Sequence, residues 1–249
     1  MSSFKVQNGN NMPIQSPLIP DPVVPYSCSE SKTLYAVIEL QEEIIRKYLE
    51  PTPFEYVNNL AMVYVNDFRS SEKLPYMDGG IIVQVQYKDI IGGYYLFEYE
   101  DDDAAVATGR ELWGYPKKLG KMTLEKSGNM VRGTAERKGE KLIEIECNIS
   151  GDNEKEIPKL KVFPHLNIHT IPKPDGPGIF SQRIIARDNS ADCNLISEET
   201  GEAKVKLSSG KTDPLGEFSP VKVLGGGYSV TDFLAGEKNG WGKVLDTLI

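Results

Sequence analysis

Met122-Thr123-Leu124-Glu125-Lys126 is followed by Ser127-Gly128-Asn129, then by Met130-Val131-Arg132-Gly133-Thr134-Ala135-Glu136-Arg137, then by Lys138-Gly139 and a third run from Lys141 to Ile149. Short runs with strand periodicity, separated by two or three turn-forming residues, are the signature of antiparallel hairpins. The same reading extends in both directions along the chain. Strands are expected at Lys32–Ile38, Leu60–Val65, Ile81–Tyr87 and Tyr94–Tyr99, with turns at Gly79-Gly80 and Gly92-Gly93. More follow at Leu160–Ile171, Gly178–Arg187, Ala191–Ile196 and Ala203–Leu207, whereas Val230–Leu234 and Trp241–Leu248 read as short helical or irregular closing segments. The clearest helix runs from Glu39 to Leu49, where Leu40, Ile44 and Tyr48 fall at helical spacing before Pro51 stops it. Many short strands with few helices predict a mainly β fold, an antiparallel closed or nearly closed barrel with a few peripheral helices.

At 249 residues the chain can bury one sizeable core. Residues 1–25 are polar and proline-rich and read as an extended arm that wraps a neighbour or stays loose, leaving 26–249 as a single domain. No run approaches 18 uninterrupted apolar residues, and the start lacks the layout of a signal peptide, so a cytoplasmic protein with no membrane partner is expected. A net charge of −8 argues against nucleic acid and requires that any anionic substrate be attracted by cations concentrated in a pocket. Lys118, Arg110 and Lys32 are the candidates. The three scattered cysteines, Cys28, Cys147 and Cys193, suit free thiols. Asp101-Asp102-Asp103 reads as a solvated turn, and His165 and His169 as strand-face or core residues rather than ligands. Gly225-Gly226-Gly227 lacks the remainder of a nucleotide-binding motif, so neither nucleotide nor metal is expected.

The chemistry concentrates in Gly109-Arg110-Glu111-Leu112-Trp113-Gly114-Tyr115-Pro116-Lys117-Lys118-Leu119-Gly120. This run resembles the signature of the acetoacetate decarboxylase family, and weaker likeness continues in register through Pro164–Pro172, Asp213-Pro214-Leu215 and Pro220-Val221-Lys222. The resemblance implies an internal cavity faced by a reactive lysine, Lys117, with no cofactor, acting on a small keto acid in a homo-oligomer. Such a lysine must be neutral to attack a ketone, and an unperturbed one is neutral in only about 0.04% of molecules at pH 7. Desolvation or a neighbouring cation can lower its pKa, and desolvation is expected to dominate. In an extended segment successive side chains point to opposite faces, so Lys118 is expected to face away unless a turn intervenes.

By the same resemblance Lys117, Lys118 and Asp78 are the catalytic candidates, Asp78 falling where the family has an active-site glutamate. A second family glutamate falls at Val63, which cannot serve. Lys32 falls near the family's carboxylate-orienting arginine, keeping charge without the bidentate fork. Arg110 and Glu111 either touch substrate or brace the loop that carries Lys117. Trp113 and Tyr115 wall the cavity or pack beneath it. The leading expectation is a Schiff-base lyase that decarboxylates a β-keto acid. An aldolase-dehydratase that condenses pyruvate with an aldehyde and a noncatalytic small-molecule carrier are the alternatives.

Overall fold

The computed structural model describes residues 11–150 and 156–249. The strands are β1 (Tyr26–Glu39), β2 (Glu55–Asp67), β3 (Met77–Tyr87), β4 (Ile90–Glu100), β5 (Lys117–Leu119), β6 (Lys121–Ser127), β7 (Met130–Arg137), β8 (Glu140–Asn148), β9 (His165–Pro172), β10 (Ile179–Arg187), β11 (Cys193–Leu207), β12 (Lys222–Ala235) and β13 (Lys243–Thr247). Two α-helices, α1 (Glu42–Leu49) and α2 (Asp103–Trp113), accompany them. Neither is long and apolar enough to cross a membrane. The chain is therefore mainly β. Its strands form one sheet in the order β13-β10-β9-β4-β3-β2-β1-β12-β11-β8-β7-β6, with β5 added beside β4.

This hydrogen-bonded path is open at both ends, where the sequence predicts a closed or nearly closed barrel. The sheet instead rolls over, so that β6 and β7 lie against β2 and β3. Gly133 of β7 makes this approach possible: a Cβ there would stand 3.0 Å from the Leu34 side chain and 3.1 Å from that of Val65. Between the layers lies the main core, which includes Leu34, Ile38, Val63, Ile81, Ile143 and Phe218. α1 contributes Ile45 and Leu49 to this core and is one turn shorter at its start than its spacing predicts.

The N-terminal residues 11–25 pack on their own chain. Ile19, Val23 and Val24 are buried in a second apolar cluster with Trp113 and Tyr115, and Asn11 and Ile19 are joined by two hydrogen bonds. The first ten residues of the expected arm lie outside the described residues. Cys28 and Cys147 are buried free thiols, and Cys193 is half-buried.

Three local readings are corrected. The Gly79-Gly80 and Gly92-Gly93 pairs are strand interior rather than turns, because their missing side chains admit neighbouring backbone and not because the chain reverses. At Gly93 a Cβ would meet the Val162 carbonyl at 2.6 Å, and this close crossing sets β9 beside β4. The segments 230–234 and 241–248 are largely β12 and β13. Asp102 is not a solvated turn residue but the N-cap of α2, its carboxylate accepting from Ala105 N at 2.8 Å. α2 ends on Gly114 in the left-handed conformation (φ 74°), where a Cβ would stand 2.6 Å from His169 Cα. That stop turns the chain directly into β5.

Candidate active site

Register across four strands builds the site. Asn66 pairs with Asp78, Asp78 with Glu100, Gly80 with Glu98, and Glu98 with Lys117. Because side chains alternate along a strand, Tyr64 and Asn66, Asp78 and Gly80, Glu98 and Glu100, and Lys117 all share one face. The intervening residues Val63, Val65, Ile81 and Tyr99 face the main core. Gly80 leaves room for the Tyr64 hydroxyl, which would stand 2.9 Å from a Cβ there and which donates to Glu98 Oε1 at 3.4 Å.

Lys117 is 7% exposed. Its ammonium is in direct contact with Glu100 Oε1 and 3.4 Å from Glu98 Oε1, and it lies 5.2 Å and 5.3 Å from the ring centroids of Tyr76 and Tyr115. Asp78, Glu98 and Glu100 each present an oxygen within 4.8 Å of the others, a grouping that could also hold a metal ion. The lysine ammonium supplies positive charge at that place. Glu98 Oε2 and Glu100 Oε2 are buried without hydrogen-bond partners. Room for the amine comes from α2, where Gly109 faces the lysine stem so closely that any Cβ would overlap Lys117 Cδ and Cε.

The electrostatics correct the expectation of a depressed lysine. Burial is the largest influence on Lys117 and does push its pKa down, but Glu100, Glu98 and Asp78 together outweigh it and hold the amine above its ordinary value. Burial pushes the carboxyl groups up in turn, Asp78 to about 8, Glu98 above its usual range and Glu100 well above it. Burial thus acts on acid and base in opposite senses. It narrows the gap in proton affinity that separates a lysine from a glutamate in water.

The cavity has a volume of about 450 Å³, and Lys117, Asp78, Trp113 and Tyr115 all line it. Lys118 does not. It projects from the other face of β5, as alternation predicts, and pairs with Asp213 at 2.6 Å. Lys32 is exposed on β1 between Ser31 and Thr33, which do line the cavity, so alternation turns its amine outward beside Asp67 and Arg69. Arg110 is exposed and donates to the Lys117 carbonyl at 3.1 Å, bracing the loop. Val63 belongs to the main core. Lys118, Lys32 and Arg110 are therefore not the pocket cations expected from sequence.

Sequence reasoning missed Glu98, Glu100 and Arg187; it read His165 as a strand-face or core residue, which its buried place on β9 bears out, but did not place it on the cavity. The acidic pair carries a visible signal, two carboxylates at alternate positions in the apolar run Tyr94–Glu100. Arg187 ends β10 and reaches the cavity through tertiary packing that no local pattern announces. His165 contacts the Tyr115 hydroxyl at 2.7 Å through Nδ1 and stacks on Phe163. Burial, Arg187 and Lys117 push its pKa down to about 3, so the ring is neutral at physiological pH.

A mainly β chain thus wraps a cavity around a buried lysine whose amine touches a carboxylate. Residues 11–244 match the sequence pattern of acetoacetate decarboxylase, and the chain belongs to that family. The acetoacetate decarboxylase of Burkholderia cenocepacia is 26% identical over 233 residues, covering 90% of this chain and 91% of its own. A solved acetoacetate decarboxylase superposes with a TM-score of 0.83 at 21% identity, over 96% of each chain. The enduracididine biosynthesis enzyme MppR, solved with the condensation product of pyruvate and imidazole 4-carboxaldehyde, superposes with a TM-score of 0.73 at 16% identity, over 95% of each chain.

Proposed function

We propose that this protein is a Schiff-base-forming lyase that decarboxylates a β-keto acid, with Lys117 as the nucleophile. The observation that carries the reading is the contact of a buried Lys117 amine with Glu100 inside a cavity large enough for a small keto acid. Desolvation costs an ion pair more than the neutral amine–carboxylic acid pair, so Glu100 can take the ammonium proton over one hydrogen bond. The freed amine attacks the ketone carbon. Glu100 returns the proton as water leaves, giving an iminium.

The iminium nitrogen accepts the electron pair of the bond between the α carbon and the carboxylate, releasing carbon dioxide and leaving an enamine. Asp78, which retains its proton up to about pH 8, protonates the enamine carbon. Water then hydrolyses the imine to ketone and free Lys117. Tyr115 and Trp113 wall the cavity and limit the water that reaches the intermediates.

An aldolase-dehydratase would use the same iminium, deprotonating it to an enamine that attacks an aldehyde. The fold shared with MppR and the neutral His165–Tyr115 pair, a further proton-transfer group in the cavity, favour keeping this as the second reading. Incubation with acetoacetate, followed for carbon dioxide, tests the first reading. Incubation with pyruvate plus an aldehyde, followed for an unsaturated adduct, tests the second. Carbon dioxide release abolished by Lys117→Ala is the expected result. An unsaturated adduct without carbon dioxide release would replace the first reading by the second.

A further inference from the structure

The cavity holds two buried cations, Lys117 and Arg187. Three carboxyl groups surround Lys117, whereas Arg187 is the one other lysine or arginine among the described lining residues. Arg187 is 6% exposed. Its Nε donates to the Gly240 carbonyl at 2.9 Å and its Nη2 to the Tyr26 hydroxyl at 3.0 Å, while its guanidinium carbon lies 4.0 Å from the centroid of the Trp113 ring. Every one of these partners is neutral. A desolvated guanidinium whose direct partners are neutral stays charged for an incoming anion, although its field also reaches the Glu98 carboxyl, and its planar fork matches a carboxylate.

Arg187 and Lys117 address the same space. Both add to the burial that pushes the pKa of the His165 ring down, and Tyr115 adjoins both, with Lys117 Nζ 5.3 Å from its ring and Arg187 close enough to offset part of the upward push that burial gives the phenol. One small molecule can therefore meet both cations.

The carboxylate lost as carbon dioxide is a poor partner for Arg187. Its charge vanishes in the transition state, so an ion pair there would stabilise the ground state and slow the reaction. Beside the Glu98 and Glu100 carboxylates that pair with Lys117 the same group meets like charge, which its departure relieves. An anchor at Arg187 is productive only for a carboxylate that survives.

We propose that Arg187 binds a second, retained carboxylate, and that the substrate is a 3-oxo dicarboxylic acid. This rests on the lysine-imine reading above and adds the class of acid that the site selects. For 3-oxoadipate, C3 forms the iminium with Lys117 and water leaves. The C1–C2 bond breaks, its electron pair passes through the enamine to nitrogen, C2 takes a proton, and hydrolysis yields 4-oxopentanoate, carbon dioxide and free lysine. The C6 carboxylate stays on Arg187 throughout.

The test compares 3-oxoadipate with 3-oxohexanoate, an acid of equal chain length without the distal carboxylate, by carbon dioxide release and by borohydride trapping at Lys117. A kcat/KM on the order of 100-fold or more in favour of the diacid is expected, because a buried polar group is left unpaired by the analogue. Arg187→Met should abolish the preference and Arg187→Lys should keep part of it. The comparison on unmodified protein stands even if Arg187→Met does not fold. Equal turnover of the two acids by unmodified protein, or a preference that survives in folded Arg187→Met, would overturn the assignment. Equal turnover with Lys117 trapped would leave the imine chemistry standing and remove only the role of Arg187. Neither carbon dioxide nor a lysine adduct from either acid would end both.

Discussion

Gly109 separates the position of the Lys117 amine from the stability of the fold, which makes Gly109→Ala a demanding perturbation. A Cβ at 109 overlaps Lys117 Cδ and Cε and stands 3.3 Å from Nζ. Ordinary carbon–carbon contact begins at about 3.5 Å, so the lysine stem must retreat by roughly 1 Å. The overlapping atoms belong to a flexible side chain, and the helix backbone need not move. Alanine is better than glycine inside a helix by about 0.8–1.0 kcal/mol, so the variant should unfold at the same temperature as the parent or slightly above it. Displacing a nucleophile by about 1 Å can cost on the order of 100-fold in rate. The assay pairs a thermal melt with kcat/KM from carbon dioxide release on a β-keto acid. An unchanged or raised Tm with activity lowered on that scale is expected. Full activity in Gly109→Ala would show that the placement of the amine against α2 does not matter, and the geometric account of Lys117 would fail.

Other expectations follow from the same contacts. Lys118→Ala removes a one-third-exposed partner of Asp213, which keeps Arg137 and Tyr99; a loss of about 1 kcal/mol or less in a denaturant titration and continued trapping at Lys117 are expected, and loss of trapping would restore Lys118 to the chemistry. Asp78 holds its proton to about pH 8 in the fold and releases it near pH 4 when unfolded. The folded state thus binds the extra proton in that window, and stability should fall as pH rises from about 4 to 8, by at most about 1.4 kcal/mol per pH unit for this group. Asp78→Asn should flatten that slope in urea titrations, and turnover of the parent enzyme should decline as pH rises through about 8. His165 behaves oppositely: with its folded pKa pushed down to about 3, the unfolded chain takes the proton first, and stability is lost as pH falls from about 6.5 toward 3. A shallower acid-side loss in His165→Gln, read from melts at pH 4 to 7, is expected; an identical loss would place the acid sensitivity elsewhere.

Much of this molecule is written in local pattern. The hairpins of Met122–Ile149 appear where turn residues and strand periodicity put them, because register there is settled by neighbours in sequence. The outward turn of Lys118 follows from strand alternation alone. Glycines were harder to read. Gly79, Gly80, Gly92 and Gly93 stand where backbone or side chains approach closely, and a sequence shows the missing Cβ but not what fills its place. The same limit applies to charge. Lys117 is legible from its flanking residues, yet its partners Asp78, Glu98 and Glu100 come from strands that meet it only through pairing. The inversion of its expected pKa shift depends wholly on that meeting. Arg187 lies 70 residues beyond Lys117 in the chain, and only packing brings it to the cavity.

The central claim is that the amine at position 117 captures a keto-acid carbonyl. Sodium borohydride added to the protein during turnover, followed by peptide mass spectrometry, reports on it directly. A substrate-dependent reduced adduct on Lys117, with Lys118 unmodified, is the expected result. An adduct confined to other lysines, or none at all while carbon dioxide is still released, would contradict the account.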